Sequence, residues 1–427
     1  MKKILKNIVS KILIFESKLV LEKYKPTIIA VTGSVGKTST KDAIYTALSS
    51  IYSVRKSDKS FNSELGVPLT ILGCPNGWSD PFVWLSNILE GLELIFFKSN
   101  YPKYLVLEVG ADHPGDIQAI SKWLKTDVVV MNKVSDVPVH VEFFKTPEEV
   151  IKEKSCLINS LKDSGTLVLY ADDPKIVNLS KNVKQNIVTF GVNEMATLTG
   201  SNVGTYYNDA KVPEGVSFRL NYKGNSIPIK IKGVLGVQQV YPMIAGALVA
   251  LQLNVPISKV VDSFDSHVYP RGRMNILEGI NNSIIIDDSY NSSPDALREG
   301  LNTLALLQVS GKRIAAIGDM MELGNYSGEE HRKAGVQALQ SCDVLVTVGP
   351  RAKQMCTAST QTVECMNFDR SGEAATYLEG IVKEGDVVYI KGSQSIRMER
   401  ISKALLKDKD NANKLLVRQD KEWLAKK

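Results

Sequence analysis

A chain of 427 residues is too long for one small module and suits two to three domains with sizeable cores. At 44% hydrophobic and 23% charged, with 30 Gly and 16 Pro, it has the make-up of an ordinary folded protein, which excludes disordered, collagen-like and disulfide-stapled classes. The net charge of +6 sits mostly in residues 1–26, where seven Lys face Glu16 and Glu22, so the remainder is nearly neutral and offers no basic face for bulk nucleic-acid binding.

In residues 1–26 the apolar side chains Ile4, Leu5, Ile8, Val9, Ile12, Phe15 and Leu19 recur at helical spacing. The longest apolar run, Ile12 to Phe15, is far short of the ~20 residues that span a bilayer, and Lys11 together with the lack of a small-x-small site disfavours a signal peptide. Two readings stay open: a helix on an anionic membrane surface with Lys2, Lys3, Lys6 and Lys18 toward headgroups, or a helix docked on the protein's own body. From Thr27 the pattern is strand, glycine loop, helix, and buried strands are expected over Tyr104–Val109, Asp127–Met131 and Thr166–Tyr170. Such alternation implies a mostly parallel sheet covered by helices. Short alternating segments over about 186–233 predict an antiparallel β subregion, followed by helices near 240–251 and 257–264. Tyr269 to Arg273 is a plausible hinge, after which strands (283–287, 313–318, 344–349, 387–391) alternate with helices (294–307, 327–339) in the manner of a second, Rossmann-like α/β domain. The charge-rich end from Ala404 predicts one or two further helices. The expected organisation is therefore a basic helix at 1–26, a phosphate-loop α/β domain at 27–268 and a C-terminal α/β domain at 269–427. Cys74, Cys156, Cys342, Cys356 and Cys365 are scattered with no Cys-x-x-Cys pair and are expected as buried thiols in a reducing compartment.

Thr32-Gly33-Ser34-Val35-Gly36-Lys37-Thr38 lies between a predicted strand and helix, where glycine-opened amides and a helix N-terminus can cradle phosphates, Lys37 can reach the β/γ-phosphates and the Thr38 hydroxyl can hold Mg2+. Val31 stands where the general P-loop has its first glycine, so the match is to a shorter form. That loop resembles the ATP loop of the Mur ligase family, the ATP-dependent amide-forming enzymes of peptidoglycan precursor synthesis. Further segments follow suit: Leu107 to Gly110 with Asp112 to Asp116, Gly272-Arg273-Met274, and Lys391-Gly392-Ser393 with Met398-Glu399 resemble the family, while Phe61 to Thr70, Asp287 to Pro294 and Gly318 to Gly324 are similar to its member that adds D-alanyl-D-alanine. No Asp-Asn-Pro-Arg run of the diamino-acid-adding member occurs.

The resemblance implies ATP and two Mg2+ ions between the domains, closing about residues 265–273, and a ligase that joins a peptidoglycan precursor peptide to an amino acid or dipeptide. Gly33, Ser34, Gly36, Lys37, Thr38, Ser39, Asn291 and Arg273 would bind nucleotide; Lys37, Lys154, His140 and Arg273 would be catalytic. Glu108, at the end of an apolar strand, can reach metal, and the resemblance adds Thr38, His140 and a carbamylated Lys154 as ligands. Asn62, Asp288, Asp319, Glu322 and Lys391 would meet substrate; Asp287 could equally be a structural turn acid, His331 matches the family's downstream His or serves a structural role on its helix, and His113 and His267 read as structural. The sequence departs from the family in three places. Cys156 stands where an acid is usual, Gly236-Val237-Gln238-Gln239 and Pro242 replace a Gly-x-His-Asn run, and about 26 residues before the first strand leave no room for a UDP-sugar-binding domain. The acceptor is therefore left open, and alternatives are a ligase for another polymer, polyglutamate or cyanophycin-like, or a non-catalytic nucleotide-binding scaffold. A cytoplasmic location, with residues 1–25 as a peripheral contact at the inner face of the membrane, is the expected setting.

Overall fold

In the computed structural model, residues 3–58, 61–78, 80–192, 195–358 and 363–425 are described. Nine strands form one sheet in the order β2-β3-β1-β4-β5-β6-β7-β8-β9. They are β1 (Thr27–Thr32), β2 (Val54–Lys56), β3 (Tyr104–Glu108), β4 (Thr126–Met131), β5 (Leu161–Tyr170), β6 (Asn186–Gly191), β7 (Leu198–Tyr207), β8 (Pro213–Tyr222) and β9 (Asn225–Lys232). The central strands read as continuous apolar runs because both faces are covered, and Ile29, Ala30, Val31, Leu105, Val106, Leu107, Val129 and Val130 are fully buried. Pairing is parallel from β2 through to β7 and antiparallel only at β7–β8 and β8–β9. The antiparallel subregion expected from about residue 186 therefore begins later, at β7, because β6 continues the parallel sheet; alternation shows an exposed face but not strand direction.

The second sheet has six strands in the order β10-β11-β15-β12-β13-β14: β10 (Asn275–Glu278), β11 (Ile284–Asp288), β12 (Arg313–Gly318), β13 (Val344–Val348), β14 (Glu364–Phe368) and β15 (Val387–Lys391). All pairs but β10–β11 are parallel, giving the doubly wound α/β architecture with one antiparallel edge. The chain crosses between the sheets where Leu235 donates to the Met274 carbonyl and Ile276 to that of Gly233.

The helix α1 (Lys3–Tyr24) lies against the first domain and touches α3 (Gly66–Leu72) and α4 (Pro81–Phe96), with α2 (Lys37–Ser49) following the phosphate loop. Val9, Leu13 and Val20 are its buried face. Ser10 donates to Glu64 at 2.9 Å, and the Lys23 ammonium donates to the carbonyls of Leu94 (2.9 Å) and Ile95 (3.0 Å) at the end of α4. Docking on the body thus accounts for one face of α1. Of the lysines assigned to a lipid-facing side, Lys2 and the Lys3 side chain lie outside the described residues, while Lys6 and Lys18 are exposed. No described helix is long and apolar enough to cross a membrane. One cysteine expectation is corrected: Cys356 and Cys365 form a disulfide with Cα atoms 5.8 Å apart, because the turn after β13 returns the chain to β14. Cys74 and Cys342 are buried thiols and Cys156 is a half-buried one.

Candidate active site between the two sheets

Parallel strands end on one edge, so Thr32 of β1, Glu108 of β3 and Met131 of β4 close the same rim of the first sheet. The phosphate loop sits there. Gly33 holds φ +142°, and a Cβ at this position would meet the Asn132 Cβ at 2.7 Å; Gly36 is left-handed at φ +81°. Both positions need glycine. The amides of Ser34 and Val35 donate to the Lys133 carbonyl, while no side chain caps α2, so its first amides keep the donors that a helix N-terminus offers an anion. Buried hydroxyls of Thr32 and Ser34 have no protein partner. The Lys37 ammonium folds back on the Gly33 carbonyl at 2.9 Å. Loss of hydration holds its pKa below the usual lysine range, against the pull of Glu108 and Asp112 and with that of Arg273.

Those couplings mark a cluster that sequence reasoning largely assembled. Glu108 is buried; Asn62 donates to its Oε1 at 3.5 Å, and its Oε2 has no protein partner. Lys154, on α5 (Pro147–Ser155), is also buried, and burial, reinforced by Lys37, pushes its pKa down to about 7. His140 adopts φ +71° and sets Nδ1 2.6 Å from Glu322 of the second domain and Nε2 3.4 Å from Asp112. The expected metal-site histidine is thus engaged by two carboxylates, one of them an expected substrate residue, and the His140 contact holds the Glu322 pKa below the usual range. Among the described residues no three of His, Cys, Asp and Glu gather as a metal cage. Two residues that the sequence motifs leave without a role also stand here: Asp112, which opens the acidic turn four residues beyond Glu108, and Glu153, whose carboxylate accepts from the amides of Gly115, Ile117 and Gln118 beside Lys154.

The second sheet offers its own carboxyl edge. Asp288 ends β11 and Lys391 ends β15, and they form a buried pair at 2.6 Å; Lys391 also donates to the Asn291 carbonyl at 3.0 Å. Burial lowers the Lys391 pKa and Asp288 opposes it. These expected substrate residues are therefore partners of each other. The Asn291 side chain accepts from the Ser292 amide, and Arg273 stacks 4.2 Å from the Tyr290 ring centroid while its carbonyl accepts from Gln239. Asp319 is engaged within its own domain. Its Oδ1 accepts from the amides of Arg351 and Ala352 at 3.0 and 2.6 Å, capping the turn after β13, so that oxygen is satisfied by the protein. Asp287 accepts from Ser402 at 2.8 Å and His331 accepts from the Met320 amide.

A cleft of about 180 Å³ lies between the two edges. Gly36, Thr38, Ser39, Arg273, Asp288 and Lys391 line its polar end, and Tyr170, Phe190, Tyr241 and Pro242 its apolar end. Lys133 bridges to Asp295 at 3.4 Å, a contact the sequence did not suggest. Phosphate-cradling donors, buried carboxylates and lysines from two sheets and an aromatic slot are the parts needed to activate an oxyacid with a nucleotide.

The Mur ligase middle domain matches residues 31–84 and 85–250, and the Mur ligase glutamate ligase domain matches residues 272–394. UDP-N-acetylmuramoyl-tripeptide--D-alanyl-D-alanine ligase of Bacillus subtilis is 25% identical over 395 residues, covering 91% of this chain and 78% of the relative. The Mycobacterium bovis protein of that name is 27% identical over 407 residues, covering 90% and 73%. The crystal structure of MurF ligase from Thermotoga maritima in complex with ADP superposes with a TM-score of 0.77 at 27% identity, covering 95% of this chain and 84% of that one. With two family domains in order over two α/β sheets and a phosphate loop at their junction, the chain belongs to the Mur ligase family.

Proposed function

We propose that the protein is an ATP-dependent carboxylate–amine ligase that adds D-alanyl-D-alanine, or a similar amine, to a peptidoglycan precursor peptide. The observation that carries this reading is the buried group of Lys37, Glu108 and Lys154 beside the phosphate loop, with Lys37 electrostatically coupled to Glu108, to Lys154 and to Arg273 of the facing domain, since a scaffold that only binds nucleotide needs no buried Glu108 with an unpartnered oxygen. A carboxylate is a poor electrophile. Its oxygen attacks the γ-phosphorus of ATP, ADP leaves, and the resulting acyl phosphate accepts the amine; the C–N bond forms, phosphate departs and the amine loses a proton. Lys37 and Arg273 neutralise charge on the transferring phosphoryl group, with Gly33, Ser34, Gly36, Thr38 and Ser39 cradling the phosphates and Asn291 beside them. The aromatic end of the cleft suits the nucleobase.

The donors fit Mg2+: the unpartnered Glu108 oxygen and the Thr38 hydroxyl would hold one ion, and His140 with a carbamate on Lys154 a second, His140 exchanging a carboxylate partner. Mg2+ would supply charge neutralisation at the phosphates. A Lys154 pKa of about 7 leaves neutral amine available near neutral pH, which is the form that takes up CO2 with loss of a proton. Asn62, Asp288, Asp319, Glu322 and Lys391 border the acceptor and amine, Asp319 through the turn it caps. The three sections 1–26, 27–268 and 269–427 act as docking helix, ATP domain and amine domain, in the cytoplasm with residues 1–25 toward the inner face of the membrane. The test is phosphate release from ATP and Mg2+ with D-alanyl-D-alanine and UDP-N-acetylmuramoyl-tripeptide supplied together and each omitted in turn. Release that needs both supports the reading; release with neither, or none, overturns it.

A further inference from the structure

Large apolar side chains exposed to solvent are not scattered evenly over this molecule. Of eighteen among the described residues, nine sit on α1, on α4 or at the ends of α4: Ile8, Phe15, Trp78, Phe82, Leu85, Leu89, Leu92, Phe96 and Phe97. Along α4, Phe82, Leu85, Leu89, Leu92 and Phe96 follow the i, i+3, i+7 progression of a single helical stripe. That stripe is not the buried face of the helix, which is Trp84, Asn87 and Gly91. Phe82 is 80% exposed, Phe96 75% and Trp78 73%. On α1 the same duality recurs. Val9, Leu13 and Val20 face the domain, while Ile8 and Phe15 are exposed with the half-buried Ile12 and Leu19 completing a second stripe at i, i+4, i+7, i+11. The two helices are in direct contact, Glu16 lying against Gly91 and Lys23 on the α4 carbonyls.

Charge decides among occupants of such a face. The chain's net charge of +6 is concentrated in residues 1–26. On α1, Lys6, Lys11 and Lys18 are exposed against Glu22, because Glu16 is buried; Lys98 stands exposed just past α4, with Glu90 and Glu93 on its flank. An apolar stripe rich in Phe and Trp beside a lysine-rich edge is the composition of a helix pair lying in the headgroup region of a bilayer. We propose that the outer faces of α1 and α4 together form a docking surface for an anionic lipid bilayer, with Phe82, Leu85, Leu89 and Phe96 entering the interface and Lys11 and Lys18 meeting lipid phosphates. This rests on the membrane-side placement of residues 1–25 proposed above, extends it to α4, and does not depend on the ligase activity. The surface adjoins the site, since Ser10 of α1 donates to Glu64, two residues from the Asn62 that reaches Glu108.

The experiment is co-sedimentation of the full chain with vesicles of phosphatidylcholine alone and of phosphatidylcholine carrying about 30 mol % phosphatidylglycerol. Two variants accompany it, L85S/L89S and K11E/K18E. All four positions are exposed and outside the catalytic and binding machinery, and melting temperature with ATP hydrolysis rate monitors folding. Binding to anionic vesicles is expected to fall about tenfold or more in L85S/L89S and severalfold in K11E/K18E, with the wild-type protein released as salt rises. Absence of binding, equal binding to both vesicle types, or variants that bind like the wild type would overturn the proposal. Sedimentation velocity without lipid supplies the remaining arm: a dimer that L85S/L89S dissociates, in a protein that ignores vesicles, assigns the face to a second copy and overturns it as well. Because the ligase reading is tested with soluble substrates, either idea can fail alone.

Discussion

Glu16 of α1 is buried with neither carboxylate oxygen hydrogen-bonded, wedged against Gly91 and coupled to the buried Cys74, and burial pushes its pKa from 4.5 up to about 7. The sign follows from which state holds the proton. Below the unfolded value both states are protonated and the group costs nothing; between 4.5 and 7 the folded protein keeps a proton that the unfolded chain has released, so stability falls as pH rises, and above 7 the full cost is present. At about 1.36 kcal/mol per unit, the cost grows from about 1.4 kcal/mol at pH 5.5 to about 3.4 kcal/mol at pH 8.5. Glu16→Gln removes the ionisation while keeping the shape. The variant should therefore gain about 2 kcal/mol on the wild type between those two pH values, read as the change in the difference of their urea midpoints, or as a few degrees in melting temperature. Parallel pH profiles for the two proteins would refute the reasoning, because they would mean that α1 lets water reach Glu16 and is not docked as described.

Three further outcomes are expected. Gly33→Ala places a Cβ 2.7 Å from that of Asn132 at φ +142°, a strain of about 1–3 kcal/mol; ATP affinity by calorimetry should fall at least ~tenfold with little change in the melting of the second domain. Lys154→Gln should abolish phosphate release. In the wild type, CO2-depleted buffer should lower activity and bicarbonate restore it, more fully at pH 8 than at pH 6, since a pKa of about 7 leaves the amine mostly protonated at the lower value. Arg418, buried, donates to the Ser289 carbonyl at 3.1 Å, to the Tyr290 carbonyl and to Glu399 at 2.9 Å, bracing the loop whose Tyr290 ring stacks on Arg273. Arg418→Met should cost about 3 kcal/mol of stability in chemical denaturation and raise KM for ATP severalfold, with Arg418→Lys recovering part of both.

Much of this architecture was legible in the sequence because parallel strands buried on both faces leave continuous apolar runs, and β1, β3, β4, β12, β13 and β15 fall where those runs do. The phosphate loop was legible for a related reason: its glycines answer to backbone geometry that no other residue meets. What escaped detection depends on long-range register. Alternation in 186–191 could not show that β6 pairs parallel with β5. Nor could a separation of nine residues show that Cys356 and Cys365 meet, since the turn between β13 and β14 sets that distance. The apolar period of α1 revealed an amphipathic helix but not that two apolar edges exist, one covered by the domain and one left beside α4. Asp319 carries the same chemistry whether it grips an amine or caps a turn, and only the amides of Arg351 and Ala352 decide what its Oδ1 does.

The location of the site follows from strand direction. β1 and β3 on one side, and β11, β15 and β12 on the other, are parallel within their sheets, so each sheet gathers its chemistry on one edge: Lys37, Glu108 and Asn132 on the first, Asp288, Lys391 and the turn of Asp319 on the second. The two edges meet through polar contacts, His140 to Glu322 and Lys133 to Asp295, together with the Gln239 bond to the Arg273 carbonyl. Partly exposed pairs of this kind contribute about 1 kcal/mol or less each, far less than burying an equal area of core. The domains are thus held separately by their own cores and jointly by weaker polar contacts, which leaves the cleft between the two carboxyl edges open to ligands on both sides.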